Sequence, residues 1–239
     1  MPLKIVFFTD HFVPEISAPA GHIFDRCKIW VDQGHDVTVV TNVPNYPLGE
    51  PYKGYKNLLR SWETVNGIKV LRVATYMAEN KGTIKRTIDY ISFAISSFFN
   101  SLTIDKPDVV YSTSPHIFAP LGAIAFSWIK RVPHVLEVRD LWPESIAATT
   151  GMSRSSIVYR SFELIERLIY NSSKRIVVFT ESFRTNLISR GVLSDKLHVV
   201  INGANLTLFE DPVYDDELAK SLELDNKFVV GYMGTHGLS

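Results

Sequence analysis

Short apolar runs alternate with longer amphipathic stretches along nearly the whole chain, and this alternation limits what it can fold into. Continuous Val, Ile and Phe runs of four to six residues fit strands of a parallel sheet whose two faces are both covered by helices. Strands are predicted at Lys4 to Thr9, Asp36 to Thr41, Lys69 to Ala74, Val109 to Ser112, His134 to Val138, Arg175 to Phe179, Leu197 to Ile201 and Phe228 to Tyr232. Helices are predicted at Gly21 to Gln33, Ile84 to Leu102, Phe118 to Lys130, Ser155 to Tyr170 and Ser182 to Ser189. In the fourth, Ile157, Phe162, Ile165 and Ile169 recur at helical spacing, leaving Arg160, Glu163, Glu166 and Arg167 for a polar face. Gly34 and Gly191 stand where helix C-caps are expected. A doubly wound, Rossmann-like α/β domain with a mostly parallel sheet satisfies all of these patterns.

One antiparallel element interrupts the alternation. Asn66-Gly67, between Trp62–Val65 and Ile68–Val73, is a strong tight-turn signal and predicts a hairpin on the edge of the sheet. Before it, Asn42 to Tyr55 carries three prolines and two glycines and is predicted to be an irregular loop hanging over a site.

Composition excludes several classes of function. Lysine plus arginine equals aspartate plus glutamate at 25 each, so no global basic excess is available for nucleic acid, and none is expected as a partner. The single cysteine, Cys27, cannot form an internal disulfide, which fits a reducing cytosol and argues against a cysteine metal site. The N-terminal run around Ile5 to Phe8 is too short for a signal peptide or a membrane span. Ile84 to Phe99 is broken by Lys85, Arg86 and Asp89 and also falls short of a span.

In open α/β sheets ligands bind beyond the carboxyl ends of the strands. Here those positions are Asp10 to Gly21, Asn42 to Tyr55, Thr113 to His116, Arg139 to Glu144, Glu181, Asn202-Gly203 and Gly234 to Gly237. The first of these loops lacks G-x-G-x-x-G, which argues against a nicotinamide cofactor; its Ser17, Ala18, Ala20 and Gly21 instead permit close backbone approach by a sugar or phosphate. No G-x-S-x-G elbow is present for an α/β-hydrolase.

The ordered set DHFVPEISAPAGH, NVPNYP, EVRDLWPES, VVFTESFRTNLISRGV, KLHVVINGANLTLF and VVGYMGTHGLS resembles the N-terminal half of bacterial family-4 glycosyltransferases with the GT-B fold, with fucosamine-transferase-like enzymes of surface-polysaccharide (capsule or O-antigen) assembly as the most similar-looking subgroup. The resemblance implies a retaining, metal-independent transfer from a nucleotide-diphosphate sugar, a UDP-sugar above all, to a lipid-linked (polyprenyl-diphosphate) acceptor. No cofactor is expected; the nucleotide sugar is a substrate. It implies an acceptor domain over residues 1–205, a connection over 206–226, and over 227–239 the first strand and loop of a donor domain lying mostly outside this chain. The chain alone is then expected to be inactive. Ser17, Gly21, Asn45, Tyr46, Thr113, Arg139, Glu144 and Glu181 fall to the acceptor side. Gly234, Thr235, His236 and Gly237 fall to the donor diphosphate, and His116 and Asp140 to catalysis.

Alternatives stand beside several of these roles. His116 either approaches the transferring sugar or caps the next helix, and Thr113 stands where several relatives carry histidine. Arg139-Asp140 either lines the cleft, with Asp140 accepting from an acceptor hydroxyl, or forms an internal salt bridge. Trp142-Pro143 reads as loop packing before sugar stacking, and Glu181 either caps its helix or binds substrate. The cationic start Lys81, Lys85, Arg86 followed by an aromatic, apolar continuation reads as a surface helix with a core face, or as a peripheral contact with the inner face of the membrane. The rival to an enzyme is a non-catalytic module that captures a glycan or lipid-linked sugar.

Overall fold

A computed structural model describes residues 1–79, 83–114, 117–145, 147, 151–203, 206, 214–224 and 227–232. Two units are distinguished, Met1–Asn202 and Gly203–Ser239. In the first, the chain runs β1 (Lys4–Phe8), α1 (Ala18–Asp32), β2 (Asp36–Asn42), β3 (Arg60–Val65), β4 (Ile68–Val73), α2 (Thr83–Ser101), β5 (Val109–Ser114), α3 (Ala119–Lys130), β6 (His134–Val138), α4 (Ile157–Ser172), β7 (Arg175–Val178), α5 (Glu181–Ser189) and β8 (Leu197–Val199). The sheet order is β3-β4-β2-β1-β5-β6-β7-β8, parallel throughout except for the antiparallel edge strand β3.

The apolar runs are continuous because both faces of the sheet are covered. Along β1, Val6 and Phe8 pack with Val40, Leu71, Phe93 of α2 and Ala123 and Phe126 of α3. Phe7 points the other way, joining Ile23 and Cys27 of α1 with Val37, Val39 and Val70. A third cluster joins Leu136, Val138, Ile176 and Val178 to Ile169 of α4 and Leu187 of α5. The chain reverses direction across the sheet between β1 and β5, the switch point at which doubly wound folds open a crevice.

The expected hairpin turns at Asn66 (φ 49°) and Gly67 (φ 84°), both left-handed as the tight turn requires. Gly34 and Gly191 are left-handed just beyond α1 and α5.

Three expectations are corrected. The run Phe228 to Tyr232 forms no strand among the described residues: it is irregular and exposed, and apolar character alone makes no strand without a neighbouring strand to pair with. Glu166, placed by helical spacing on the polar face of α4, is buried, while Ile157 is exposed at the helix start. Glu166 accepts from the Tyr170 hydroxyl at 2.6 Å and pairs with Arg190, a partner 24 residues away that helical spacing cannot reveal. Finally, Thr180 rather than Glu181 caps α5, its hydroxyl accepting from the Phe183 amide at 3.2 Å.

The second unit contains one short helix, α6 (Asp216–Ser221), with Asp215 capping it through the Leu218 amide at 2.9 Å.

Candidate functional site

The carboxyl ends of β1 and β2 and the N-terminal half of α2 enclose a cavity of about 230 Å³. The chain leaves β1 through Asp10 and His11, returns past Ser17 and Pro19 at the start of α1, and contributes Asn42, Asn45 and Tyr46 after β2. Helix α2 adds Arg86, Asp89, Tyr90 and Phe93, spaced at three, four and seven residues so that one face looks inward. Ser17 also caps α1, its hydroxyl accepting from the Ala20 amide at 3.4 Å.

Buried beneath this wall, Glu15 ties two loops together. Its Oε1 accepts the Asn45 and Tyr46 amides at 2.9 and 3.0 Å, while Oε2 meets His11 Nδ1 at 2.6 Å. His11 Nε2 lies 3.6 Å from Asp10, and its ring meets that of Tyr46 edge-on at 5.2 Å. Burial opposes charge on this imidazole, but the Asp10 and Glu15 carboxylates outweigh it and push its pKa up to about 9. Across the cavity burial pushes Asp89 up to about 7, against the stabilising Ala78 amide and with a further push from Asp10. The site therefore holds an imidazolium and a carboxyl group that titrates near neutrality.

A second polar cluster lies at the end of β6. Glu137, with no exposed surface, pairs with Arg26 of α1, accepts the Tyr111 hydroxyl at 3.0 Å and meets Arg139 Nη1 at 3.1 Å. Arg139 also lies over the Phe179 ring, 5.3 Å from its centroid. The Arg139 partner is thus Glu137 rather than a neighbouring acid in the loop. Asp140 lines a separate cavity of about 20 Å³ with Trp142, Glu166 and Tyr170, and burial raises its pKa against the pull of Arg139. Trp142 packs edge-on against Phe162, with ring centroids 5.8 Å apart.

The structure brings Ser17, Asn45 and Tyr46 together at the first cavity. Gly21 lies inside α1 with open space where a side chain would sit. Thr113 is buried at the end of β5, and its hydroxyl has no hydrogen-bond partner among the described residues. Glu144 meets Asn186 Nδ2 at 3.4 Å, and Arg154 at 3.9 Å. Glu181, with 72% of its side chain exposed, faces Arg184 at 3.6 Å. His116, Lys81, Gly234, Thr235, His236 and Gly237 lie outside the described residues.

Sequence reasoning missed Glu15 and Asp89. Asp89 appeared only as a charge breaking an apolar run. Its four-residue spacing to Phe93, a core residue, was the available sign that it faces inward.

A family model for the glycosyl transferase 4-like domain matches residues 22–203. The chain is 25% identical over 246 residues to the putative colanic acid biosynthesis glycosyl transferase WcaI of Escherichia coli K12, covering 98% of this chain and 59% of that protein. The fold resembles the catalytic domain of starch synthase IV from Arabidopsis thaliana bound to ADP and acarbose, with a TM-score of 0.63 at 10% identity, over 90% of this chain and 54% of that one. It also resembles Anabaena Alr3699/HepE in complex with UDP-glucose, with a TM-score of 0.58 at 16% identity, over 94% and 50%.

Proposed function

The chain belongs to the glycosyl transferase 4-like family, and from that premise we propose that it forms the acceptor-side half of a GT-B glycosyltransferase. The reaction proposed is retaining, metal-independent transfer of a sugar from a nucleotide-diphosphate donor, a UDP-sugar, to a lipid-linked saccharide in bacterial surface-polysaccharide synthesis. The name of the Escherichia coli relative supports the pathway class, and the UDP-glucose held by the Anabaena protein supports the donor class. This chain spans 59% of that relative and about half of the two solved structures, so the donor half is assigned to polypeptide outside residues 1–239.

The observation that carries this reading is the cavity between Asp10, Asn42, Asn45 and Asp89, a polar recess at the carboxyl edge of a parallel sheet, beside its switch point. Carboxylates and amides suit hydroxyl recognition. In such a division of labour this half orients the acceptor hydroxyl and shields it from water, while the other half binds the leaving diphosphate.

Helix α2 supports a peripheral membrane role on the cytoplasmic side. Ile84, Ile88, Ile91, Ile95 and Phe99 are all exposed and follow one another at three- and four-residue steps, forming a continuous apolar stripe. Lys85 and Arg86 lie at its start. Among the described residues no helix is long and apolar enough to cross a membrane, so the proposed contact is in-plane. The same helix lines the cavity with its other face.

The test is product analysis by mass spectrometry with a panel of UDP-sugars and a polyprenyl-diphosphate-linked acceptor. Transfer is expected from the polypeptide that includes a donor half and not from residues 1–239 alone. Turnover by residues 1–239 alone would refute the division of labour; glycan binding without transfer by the longer polypeptide would favour a binding module.

A further inference from the structure

The cavity between β1, β2 and α2 gathers hydrogen-bond acceptors from two elements, beside the hydroxyls of Ser17, Tyr46 and Tyr90. Asn42 is 6% exposed, lines the cavity, and its Oδ1 has no partner among the described residues. A buried acceptor left unmet costs on the order of 1–3 kcal/mol, so it calls for a donor from outside the chain. Its backbone is fixed, since its carbonyl accepts from Arg72 Nη1 at 3.2 Å. Asp10 and Asp89 add carboxylates to the same wall.

Each of the two cationic side chains at the wall already has a partner. The His11 imidazole is held by Glu15 at 2.6 Å and lies 3.6 Å from Asp10. The Arg86 guanidinium donates to the Tyr90 hydroxyl at 3.1 and 2.5 Å and lies over that ring. Against these two cations stand the Asp10 and Glu15 carboxylates, with Asp89 ionising near neutrality. A diphosphate ester, which offers acceptors only, would meet the Asp10 and Glu15 carboxylates and leave Asn42 Oδ1 unmet; a neutral polyol offers that oxygen a hydroxyl donor. A volume of about 230 Å³ is below the ~300–1,000 Å³ of drug-sized pockets and suits a single sugar ring.

The geometry points to a subsite for one neutral sugar ring of the acceptor, with Asn42 and Asp89 as the residues that select its hydroxyls and with the acceptor's diphosphate excluded from the cavity. This rests on the transferase reading above and adds which part of the acceptor enters. Asp89 sits on α2 and Asn42 at the end of β2, so two independently anchored elements grip the ring.

The experiment is amide-resolved NMR on this chain with a panel of neutral methyl pyranosides and, separately, inorganic pyrophosphate. At least one glycoside is expected to shift the amides of Asn45, Tyr46 and Asp89, while pyrophosphate leaves them in place. Asp89→Asn and Asn42→Ala are each expected to weaken that binding about tenfold, the usual effect of losing one buried hydroxyl contact. Melting temperatures are read in parallel, and Asp89→Asn, a near-isosteric change at a half-buried acid, keeps the fold. The proposal is overturned if pyrophosphate displaces the glycoside or shifts these amides, if no glycoside shifts them, or if both variants bind like the parent. Sugar transfer is scored in a separate assay. In the polypeptide that includes a donor half, transfer with unchanged binding by the variants sinks this subsite alone, whereas glycoside binding without transfer sinks the transferase reading and leaves the subsite standing.

Discussion

His11 and Glu15 meet at 2.6 Å in the loop after β1, and the second oxygen of Glu15 accepts two backbone amides, from Asn45 and Tyr46, in the loop after β2. One buried carboxylate thereby fixes the two loops that wall the candidate site. It explains how the segment 43–59, irregular and proline-rich, can present Asn45 and Tyr46 at fixed positions.

Glu15→Ala should therefore destabilise the fold by about 3 kcal/mol, because it strands two amide donors and an imidazolium. Glu15→Gln keeps an oxygen for the amides and should cost less than half as much, while removing the charge that His11 depends on. Denaturant midpoints for the two variants check this. An alanine variant as stable as the parent would show that the loops are held elsewhere.

The titration of His11 carries its own signature. Its folded pKa of about 9 lies above the ordinary 6.5, so protonation stabilises the fold. That contribution is complete below pH 6.5 and is lost as pH rises through 9. His11→Ala should be destabilising at pH 6 and close to neutral at pH 10, and ring proton shifts should titrate near 9. A midpoint near 6.5 would mean that the Glu15 contact is not made.

Asp89 runs the other way. Its pKa is raised from 3.8 to about 7, so its ionisation costs stability that is fully retained below pH 3.8 and lost progressively as pH climbs through 7. Asp89→Asn should raise stability relative to the parent at pH 8 and leave it unchanged at pH 3.5, as measured by urea midpoints at the two pH values.

Glu137 offers a test of the inner cluster. Removing the anion that holds Arg26, Arg139 and the Tyr111 hydroxyl leaves two guanidinium groups without their buried partner. Glu137→Ala should cost about 3–5 kcal/mol. Thermal denaturation reads the effect, and a loss under about 1 kcal/mol would show that water replaces the carboxylate.

Two glycines should respond oppositely to alanine. A methyl group at Gly122 would lie 2.6 Å from the Ala94 carbonyl and from Ser97 Oγ, so Gly122→Ala must push α2 away from α3, at about 1–3 kcal/mol. A methyl group at Gly21 meets nothing within 4 Å, so Gly21→Ala should stabilise α1 by up to about 1 kcal/mol. Reduced acceptor binding by that stabilised variant would reveal a ligand approaching the Gly21 backbone; unchanged binding would remove Gly21 from the site.

What the sequence by itself determined is the architecture. Continuous apolar runs, helical periodicity and the Asn66-Gly67 turn are local properties, each readable within a dozen residues, and together they imply a doubly wound sheet with a hairpin at its edge. They also implied that Ser17, Asn45 and Tyr46 lie beyond strand ends, because strand direction alone sets which end faces the crevice. What only the tertiary structure decided is which charges meet. Glu15 finds amides 30 and 31 residues away, Glu137 finds Arg26 at a separation of 111, and Glu166 leaves its expected polar face for Arg190. Spacing along one element cannot encode such pairs, since the energy of a buried charge depends on partners brought by other elements. The same reason separates Phe228 to Tyr232 from the strands: its apolar pattern is local, whereas the hydrogen bonds that make a strand belong to a neighbour.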